Sequence, residues 1–340
     1  MLVKGVGARS YLSLLLHGPK VVDVVEVALR LGILARLDAG PTSLRALSDD
    51  VGAVPGRLHK FLDCLESAGL LRREASGDDI LDATYSSIVP LVVAAREVLG
   101  ADSIERDRDK YPWRALHGHL DDVLRGALSI PATDFDWPPR SADKLAEFEA
   151  SMAAGIGPIV ESFARAYPQL FPRGRERLLD VGGGDGSLVA ALLSRLPELS
   201  ADVYNLPAVR PLVEAKLQAH GGRSRFVGGD FFESPLPGGY DVIAFVRVLH
   251  DWPEATARTL LTKAYEALPA GGRIVICEEF RNADRLGVQF FWTYFLMGVD
   301  SCVSRLREVA VYARMLGELG ASSLQIIPGP FDIITAIRPA

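Results

Sequence analysis

The stretch Leu178-Leu179-Asp180-Val181-Gly182-Gly183-Gly184-Asp185-Gly186 restricts the fold of this chain more than any other. It begins with apolar, strand-like residues, and a helical pattern follows it at 187–196. Glycines packed this densely at a strand-to-helix turn let a ligand lie against bare backbone, because no Cβ blocks the approach. The stretch therefore predicts a binding turn for a nucleotide-derived cofactor at the end of a parallel strand.

The spacing of the glycines helps to separate two such cofactors. Dinucleotide-binding turns have the pattern Gly-x-Gly-x-x-Gly and aim a helix N-terminus at a pyrophosphate. Here the glycines alternate over 182–186, and Ser187 stands where the third glycine of that pattern belongs. Asp180 and Asp185 add acids at both ends, which suit a cationic, phosphate-free ligand such as S-adenosylmethionine. A turn that is merely tight is the simpler alternative.

Length and composition limit the classes of function. The chain has 340 residues, of which 49% are hydrophobic and 24% charged, and its net charge is −6. Its length allows two domains, and its acidity argues against a nucleic-acid partner held by bulk electrostatics. No stretch approaches ~20 uninterrupted apolar residues, so we expect neither a signal peptide nor a membrane span.

The cysteines indicate a reducing compartment. Cys64, Cys277 and Cys302 are odd in number and far apart in the sequence. They fit neither a disulfide framework nor a thiolate zinc site. We therefore expect a cytoplasmic protein.

Residues 1–100 form the first of three predicted regions. Their patterns predict three helices and then two strands, at 21–37, 44–51, 57–68, 70–73 and 80–85. Thr42 or Ser43 is the expected cap of the second helix. Three helices followed by a hairpin give a winged-helix outline.

The charges of this region oppose DNA binding. Residues 1–100 contain 11 Lys/Arg and 12 Asp/Glu, and the third helix sets Arg57 and Lys60 against Asp63 and Glu66. A helix that lies among phosphates should be clearly basic. A dimerisation domain is the better interpretation, and a winged-helix ligand-sensing repressor is a distant alternative.

Residues 101–175 read as a mostly helical bridge that lines a substrate pocket, and residues 176–340 as an α/β domain. Strands alternate with helices in that third region, at 178–181, 201–204, 225–227, 241–245, 273–277 and 331–337. This alternation predicts a Rossmann-like, doubly wound and mostly parallel sheet. Its ligands should bind at the carboxyl ends of the strands.

Polar residues follow several of these strands. Asn205 comes after the second strand, where a ribose-binding residue is expected, and Asp230-Phe231 after the third, where they suit an adenine. His250 and Asp251 follow the fourth strand, and Glu278 follows the fifth. Because the pKa of an unperturbed histidine is about 6.5, His250 suits a general base. The alternative is a histidine that is only part of the core.

Four segments together resemble the small-molecule S-adenosylmethionine-dependent methyltransferases. Within that class they are similar to the plant caffeate-type O-methyltransferases and their bacterial antibiotic-pathway relatives. The resemblance spans nearly the whole chain, and its segments are 178–186, Gly229-Asp230-Phe231-Phe232, Arg247-Val248-Leu249-His250-Asp251-Trp252 and Ala267-Leu268-Pro269-Ala270-Gly271-Gly272. Of these, Leu-His-Asp-Trp is far more specific than the glycine turn.

The resemblance implies roles for individual residues. It implies that His250 is the catalytic base, that Glu278 orients it and that Asp251 belongs to the same site. The expected cofactor-binding residues are Asp180, Gly182, Gly184, Asn205, Leu206, Asp230, Phe231 and Arg247. The expected acceptor pocket draws on Met152, Trp292, Tyr294, Met297 and Asp300. The product formed from the cofactor would be S-adenosylhomocysteine, and no metal is needed.

This chain departs from the family pattern at two positions, and the second departure leaves the acceptor atom open. Relatives place an acid where this chain has Asn205, so weaker cofactor binding is expected. Plant relatives also have a second acid beside the histidine, where this chain has Val303 or Cys302, with Asp300 nearby. We expect O-methylation of a hydroxylated aromatic small molecule by a homodimer, with C-methylation on an aromatic ring or keto-acid carbon as the alternative. Metal-assisted C-methylation is disfavoured, because Tyr294 replaces a histidine ligand.

Overall fold

The computed structural model describes residues 8–74, 80–100, 141–281 and 306–339. The chain divides into two compact units, Met1–Tyr111 and Pro112–Ala340. In the described parts of both units, none of the helices combines the length and apolarity needed to cross a membrane. The three regions expected from the sequence stay a prediction.

The first unit combines helices with a small antiparallel sheet. Its described helices are α1 (Ala8–Leu15), α2 (Gly18–Arg30), α3 (Ile33–Ala39), α4 (Leu44–Val51), α5 (Pro55–Ser67) and α6 (Val92–Leu99). Strands β1 (Thr42–Ser43), β2 (Leu71–Glu74) and β3 (Thr84–Ser87) form a sheet in the order β1-β3-β2. A shared core includes Leu34, Leu47, Leu62 and Tyr85. Burial of these side chains supplies most of the stability of such short helices.

One predicted helix of this unit is wrong and one predicted cap is confirmed. The single helix expected over 21–37 is two helices, because Gly32 takes a left-handed φ of +76° between them. A left-handed residue ends a helix, and glycine adopts that conformation without strain. The Ser43 hydroxyl accepts a hydrogen bond from Ala46 N at 3.2 Å and so caps α4.

The second unit contains a seven-stranded sheet with helices between most of its strands. Its described helices are α7 (Ala142–Ala153), α8 (Ile156–Leu170), α9 (Ser187–Arg195), α10 (Arg210–Leu217), α11 (Glu254–Ala267) and α12 (Val309–Glu318). Its strands are β4 (Arg177–Val181), β5 (Ser200–Asn205), β6 (Phe226–Gly228), β7 (Val242–Val246), β8 (Arg273–Glu278), β9 (Ser322–Ile327) and β10 (Asp332–Ile337). They lie in the order β6-β5-β4-β7-β8-β10-β9.

All neighbouring pairs from β6 to β8 are parallel, and β10 is antiparallel to β8 and β9. The predicted doubly wound, mostly parallel sheet is therefore confirmed. The winged-helix and dimerisation interpretations of the first unit stay predictions.

The central strand β4 fixes the position of the candidate site. Its last residue, Val181, pairs with Tyr204 of β5 on one side and with Phe245 of β7 on the other. The turns that follow these three strands therefore open at one edge of the sheet, where the strand order reverses. Ligands bind in such crevices, outside the carboxyl ends of parallel strands.

Candidate active site

The turn after β4 has a shape that only glycine permits. Gly182 and Gly184 have φ values of +73° and +56°, in the left-handed region. A Cβ on Gly182 would lie 2.9 Å from Cγ2 of Val248, and one on Gly184 would lie 2.9 Å from Oε2 of Glu149. The backbone of the turn is thus both strained for other residues and closely approached by side chains.

This turn borders a cavity of about 460 Å³. That volume lies within the range of small-molecule sites, about 300–1,000 Å³. All eight residues expected to bind the cofactor line the cavity, and so do Met152 and Asp251. The other described lining residues include Phe148, Glu149, Ile156, Asp185, Phe232, Val248 and Trp252. The structure therefore brings together residues that lie more than a hundred positions apart in the sequence.

Asp180, the acid of β4, is buried in the cavity wall. It is 1% exposed, and in the described part of the chain neither of its carboxylate oxygens has a hydrogen-bond partner. Burial raises the pKa of Asp180 to about 7, although the charge of Arg247 opposes that shift. An unpartnered carboxylate in a cavity wall is costly for the empty protein. It therefore indicates a site for a ligand that carries a donor or a positive charge.

Glu149 on α7 is a second buried acid at this cavity, and the sequence did not reveal it. Its side chain is 2% exposed. Burial and the nearby Asp185 raise the pKa of Glu149 to about 7, while Arg247 lowers it. Its position in the sequence could have indicated it. Leu145, Glu149 and Met152 lie on one helical face, so the acid interrupts an apolar stripe.

Arg247 is the basic residue among the described residues of the cavity wall. It follows β7 with a φ of +55°, which is uncommon for a residue with a side chain. Its Nη2 donates a hydrogen bond to the carbonyl of Met152 at 2.5 Å. The contact joins the turn after β7 to α7, the helix that carries Glu149. Met152, which also lines the cavity, is therefore linked to Arg247 through its backbone carbonyl.

Asn205 at the end of β5 is bonded to its surroundings through both ends of its amide. Its Oδ1 accepts a hydrogen bond from Leu206 N at 2.8 Å, and its Nδ2 donates to Gly184 O at 3.3 Å. The amide therefore ties the glycine turn to the neighbouring strand. An aspartate at this position would lack the donor for Gly184.

Three aromatic rings form one wall of the cavity. Phe231 and Phe232 meet edge to face with centroids 4.6 Å apart, and Trp252 lies 4.7 Å from Phe232 in the same arrangement. Asp230 Oδ1 accepts a hydrogen bond from Phe232 N at 2.8 Å. All three rings line the cavity, and aromatic rings suit contact with a flat ligand.

Lys263 on α11 fixes the backbone of that aromatic turn. Its Nζ donates hydrogen bonds of 2.7, 2.9 and 3.0 Å to the carbonyls of Phe231, Phe232 and Ser234. An ammonium group has three protons, and all three are used here. The sequence did not indicate this role, because Lys263 lies on a different element, about 30 positions after the turn.

His250 lies between two carboxylates just behind the cavity wall. It is 4% exposed, and its Nδ1 contacts Oε2 of Glu278, while its Nε2 lies 3.3 Å from Oδ1 of Asp251. The other oxygen of Glu278 accepts hydrogen bonds from the backbone N–H groups of Val248 and Leu249. Asp251 lines the cavity, whereas His250 and Glu278 are not among its described lining residues.

The pKa of His250 differs from that of a free histidine. Burial disfavours the imidazolium, but the charges of Glu278 and then Asp251 outweigh burial and raise the pKa of His250 to about 9. At neutral pH the ring is therefore mainly protonated. The sequence alone suggested a group that titrates near 6.5, because it did not show how closely both carboxylates approach.

Arg307 holds the turn that carries His250. This buried guanidinium donates Nη1 hydrogen bonds to Leu249 O at 2.9 Å and to the Tyr312 hydroxyl at 3.2 Å. Its Nη2 donates to Trp252 O. Because these carbonyls lie on both sides of His250, Arg307 restrains the orientation of that turn.

The residues at this edge of the sheet fit S-adenosylmethionine. The unpartnered oxygens of Asp180 suit a cationic methionyl group, and the glycine turn lies beside them in the lining of the cavity. Asp230 and Phe231 add a carboxylate and an aromatic ring, which suit an adenine, and Asn205 belongs to the same lining.

Part of the predicted acceptor pocket lies outside the described residues. Of the residues expected there, the structure describes Met152, and those outside are Trp292, Tyr294, Met297 and Asp300. Val303 and Cys302, the positions of the missing second acid, also lie outside. In the parts that are described, no cluster of three or more potential metal ligands occurs.

Comparisons with known proteins give one consistent family. A family model described as an O-methyltransferase domain matches residues 103–320. The N,N-dimethyltransferase OxyT of Streptomyces rimosus is 31% identical, over 73% of this chain and 72% of that protein. The 3-hydroxy-5-methyl-1-naphthoate 3-O-methyltransferase of Streptomyces sahachiroi is 39% identical, over 48% of this chain and 50% of that protein.

Solved structures show the same fold. The S-adenosylmethionine-dependent methyltransferase SibL, in its apo form, matches with a TM-score of 0.61 at 23% identity. The match covers 97% of this chain and 99% of that one. It extends the likeness over both units, whereas the family model covers the later part of the chain.

Proposed function

The chain belongs to the O-methyltransferase family and is an S-adenosylmethionine-dependent methyltransferase, and we propose that its acceptor is a hydroxyl group of an aromatic small molecule from secondary metabolism. The observation that carries this proposal is the buried pair of His250 and Glu278, beside a cavity lined by acids and aromatic rings. The relative that methylates a hydroxynaphthoate supports it.

His250 is the general base of the proposed reaction. A phenol with a pKa of about 10 is mostly protonated in the cell, so its proton must leave as the oxygen attacks. Nε2 of His250 accepts that proton on the side of Asp251, while Glu278 holds Nδ1 and stabilises the imidazolium that forms. Because His250 is mainly protonated at neutral pH, it must first release a proton to act.

The remaining residues of the site would bind the cofactor and align the acceptor. Asp180, Asn205, Asp230, Phe231 and the glycine turn would hold S-adenosylmethionine, which supplies a methyl group on an already activated sulfonium. With that activation in place, the protein mainly has to align the acceptor oxygen, and alignment alone contributes about 7–11 kcal/mol in favourable cases. Met152 and the cavity-lining residues beside it would position the acceptor ring.

The direct test is incubation of the pure protein with labelled S-adenosylmethionine and a panel of phenols and aryl acids. We expect S-adenosylhomocysteine to form with at least one acceptor. The variant His250→Ala should then lower turnover roughly 10²–10⁴-fold, the usual contribution of a general base. Unchanged turnover would leave His250 a packing role only.

A nitrogen or carbon acceptor is the second candidate. OxyT, which covers more of this chain than the naphthoate enzyme does, is named an N,N-dimethyltransferase. Carbon methylation directed by His250 also remains an alternative, since the family's second acid is absent from this sequence. NMR of the methylated product separates the three, because O-, N- and C-methyl protons have different chemical shifts and couplings.

We also propose a cytoplasmic homodimer formed through the first unit. Leu12 and Leu15 of helix α1 and Leu16 directly after it are 61%, 55% and 83% exposed, and contiguous exposed apolar side chains commonly mark interfaces. Light scattering after size exclusion should give twice the chain mass of 36.8 kDa. The double variant Leu12→Glu, Leu16→Glu should give the single mass, and a wild-type monomer would contradict the proposal.

A further inference from the structure

Among the described residues, the lining of the cavity holds more negative charge than Arg247 balances. Asp180 and Glu149 are both almost fully buried, and they approach the glycine turn from β4 and from α7. A Cβ on Gly183 would lie 2.5 Å from Oδ2 of Asp180, and one on Gly184 2.9 Å from Oε2 of Glu149. The two carboxylates therefore border the same short stretch of bare backbone.

The charged groups around this pair are few in the described structure. Arg247 acts on both carboxyl groups, and its Nη2 also donates to Met152 O. Asp185 adds a third negative charge near Glu149, but it is paired with Lys216 at 3.1 Å. Two buried carboxylates thus face one arginine, and both oxygens of Asp180 have no hydrogen-bond partner.

We propose that Glu149 and Asp180 form a two-carboxylate site for the positive charge of the methionyl end of the cofactor, with Glu149 as a binding residue that the family motifs do not include. The proposal rests on S-adenosylmethionine being the methyl donor. The charge is either the sulfonium, which only the donor carries, or the α-ammonium, which S-adenosylhomocysteine also carries. Either positive charge would offset the negative charge that Glu149 and Asp180 place beside the glycine turn.

Binding at this site is linked to protons. Burial raises the pKa of both Glu149 and Asp180 to about 7, so each is partly protonated in the free protein at neutral pH. A bound cation favours the ionised carboxylates, and protons are released. Affinity for a cationic ligand should therefore increase from pH 5.5 to pH 8.5.

The experiment is calorimetry with three ligands and three proteins. The ligands are S-adenosylmethionine, S-adenosylhomocysteine and 5′-methylthioadenosine, which has the same nucleoside but neither positive charge. The proteins are the wild type, Glu149→Gln and the control Glu147→Gln, which removes an exposed acid two positions away on the same helix. Each pair is measured at pH 5.5 and at pH 8.5.

We expect Glu149→Gln to weaken binding of the charged ligand at pH 8.5 about tenfold, in the range of a charge-assisted contact. Binding of 5′-methylthioadenosine should not change, which also shows that the variant is folded. A loss for the donor alone identifies the sulfonium, and an equal loss for donor and product identifies the ammonium. Glu147→Gln should bind all three ligands like the wild type.

Two results would overturn the proposal: Glu149→Gln binding that matches the wild type, or an equal loss for 5′-methylthioadenosine. Wild-type affinity that does not change between the two pH values would overturn the proton linkage. Failure of the proposed acceptor chemistry looks different, because the wild type would then still bind the donor but methylate no hydroxyl. The two hypotheses are therefore separable.

Discussion

At the residue scale, the pH dependence of the reaction should follow His250. Its pKa is raised to about 9 because Glu278 and Asp251 outweigh the effect of burial. The neutral base is therefore scarce at pH 7, and kcat/KM should increase with pH until about pH 9. Glu278→Gln removes one of these charges, so its profile should shift to lower pH and its maximum rate should fall.

The measurement is kcat/KM from pH 6 to pH 10 for the wild type and for Glu278→Gln. A profile that levels off near pH 6.5 in the wild type would show that the carboxylates do not control the base.

The stability of the folded protein should depend on His250 as well. A pKa that is raised in the folded state stabilises the protein fully below the unfolded value of about 6.5. That stabilisation is lost as the pH increases through about 9.

Asn205 leads to a second residue-scale prediction. Its Nδ2 donates to Gly184 O, and Asn205→Asp would replace that donor with a carboxylate oxygen facing a carbonyl. We expect a loss of about 1–3 kcal/mol, which corresponds to a decrease of a few degrees in the melting temperature of the free enzyme. Differential scanning calorimetry measures it, and an unchanged or higher melting temperature would contradict the structural role.

Residue types at strand ends were predictable from the sequence, whereas their partners were not. The glycine turn, Asp230-Phe231 and His250 could be recognised because they follow apolar strands directly. Glu149 lies on a helix 31 positions before Asp180, and nothing in one sequence places that helix over the glycine turn. The raised pKa of His250 likewise depends on how closely Glu278 and Asp251 approach it in the fold.

At the element scale, α11 supports cofactor binding from outside the cavity. Lys263 bonds the carbonyls of Phe231, Phe232 and Ser234, so Lys263→Met should loosen the aromatic turn. We expect the KM for S-adenosylmethionine to increase about tenfold with little change in kcat, since the aromatic turn would bind the cofactor equally in the ground and transition states.

Steady-state kinetics with the donor varied measure this effect. Glu266→Gln is the control, because it removes an exposed charge from the same helix. Lys263→Arg should restore part of the affinity, since it keeps the charge and several donors. A fall in kcat with an unchanged KM would place Lys263 in the chemical step instead.

Helices and strands could be predicted where the spacing of their apolar residues is simple. The parallel strands β4, β5, β7 and β8 read as apolar runs because both faces of the sheet are covered. Strand β9 escaped prediction: its side chains are mostly exposed, and it lies at the sheet edge beside β10. The helix over 21–37 was predicted as continuous because its apolar spacing passes through Gly32 without interruption.

At the scale of the whole molecule, the family match separates the classes of function that the sequence left open. A winged-helix repressor and a dinucleotide-binding protein were the alternatives from other classes. The methyltransferase match over 103–320 supports neither of them. All described residues that line the cavity belong to the second unit, Pro112–Ala340. A bound cofactor should therefore stabilise that unit directly.

Hydrogen exchange with and without S-adenosylhomocysteine tests this localisation. A ligand stabilises only those openings that break its site. At a concentration of 100 Kd, amides of 180–190, 204–206 and 229–232 should exchange up to about 100-fold more slowly, equivalent to about 2.7 kcal/mol. Helices α2 to α5 of the first unit should exchange at their original rates. Equal slowing there would show that the two units unfold as one cooperative body, and the stability of the enzyme would then have to be treated as a single quantity.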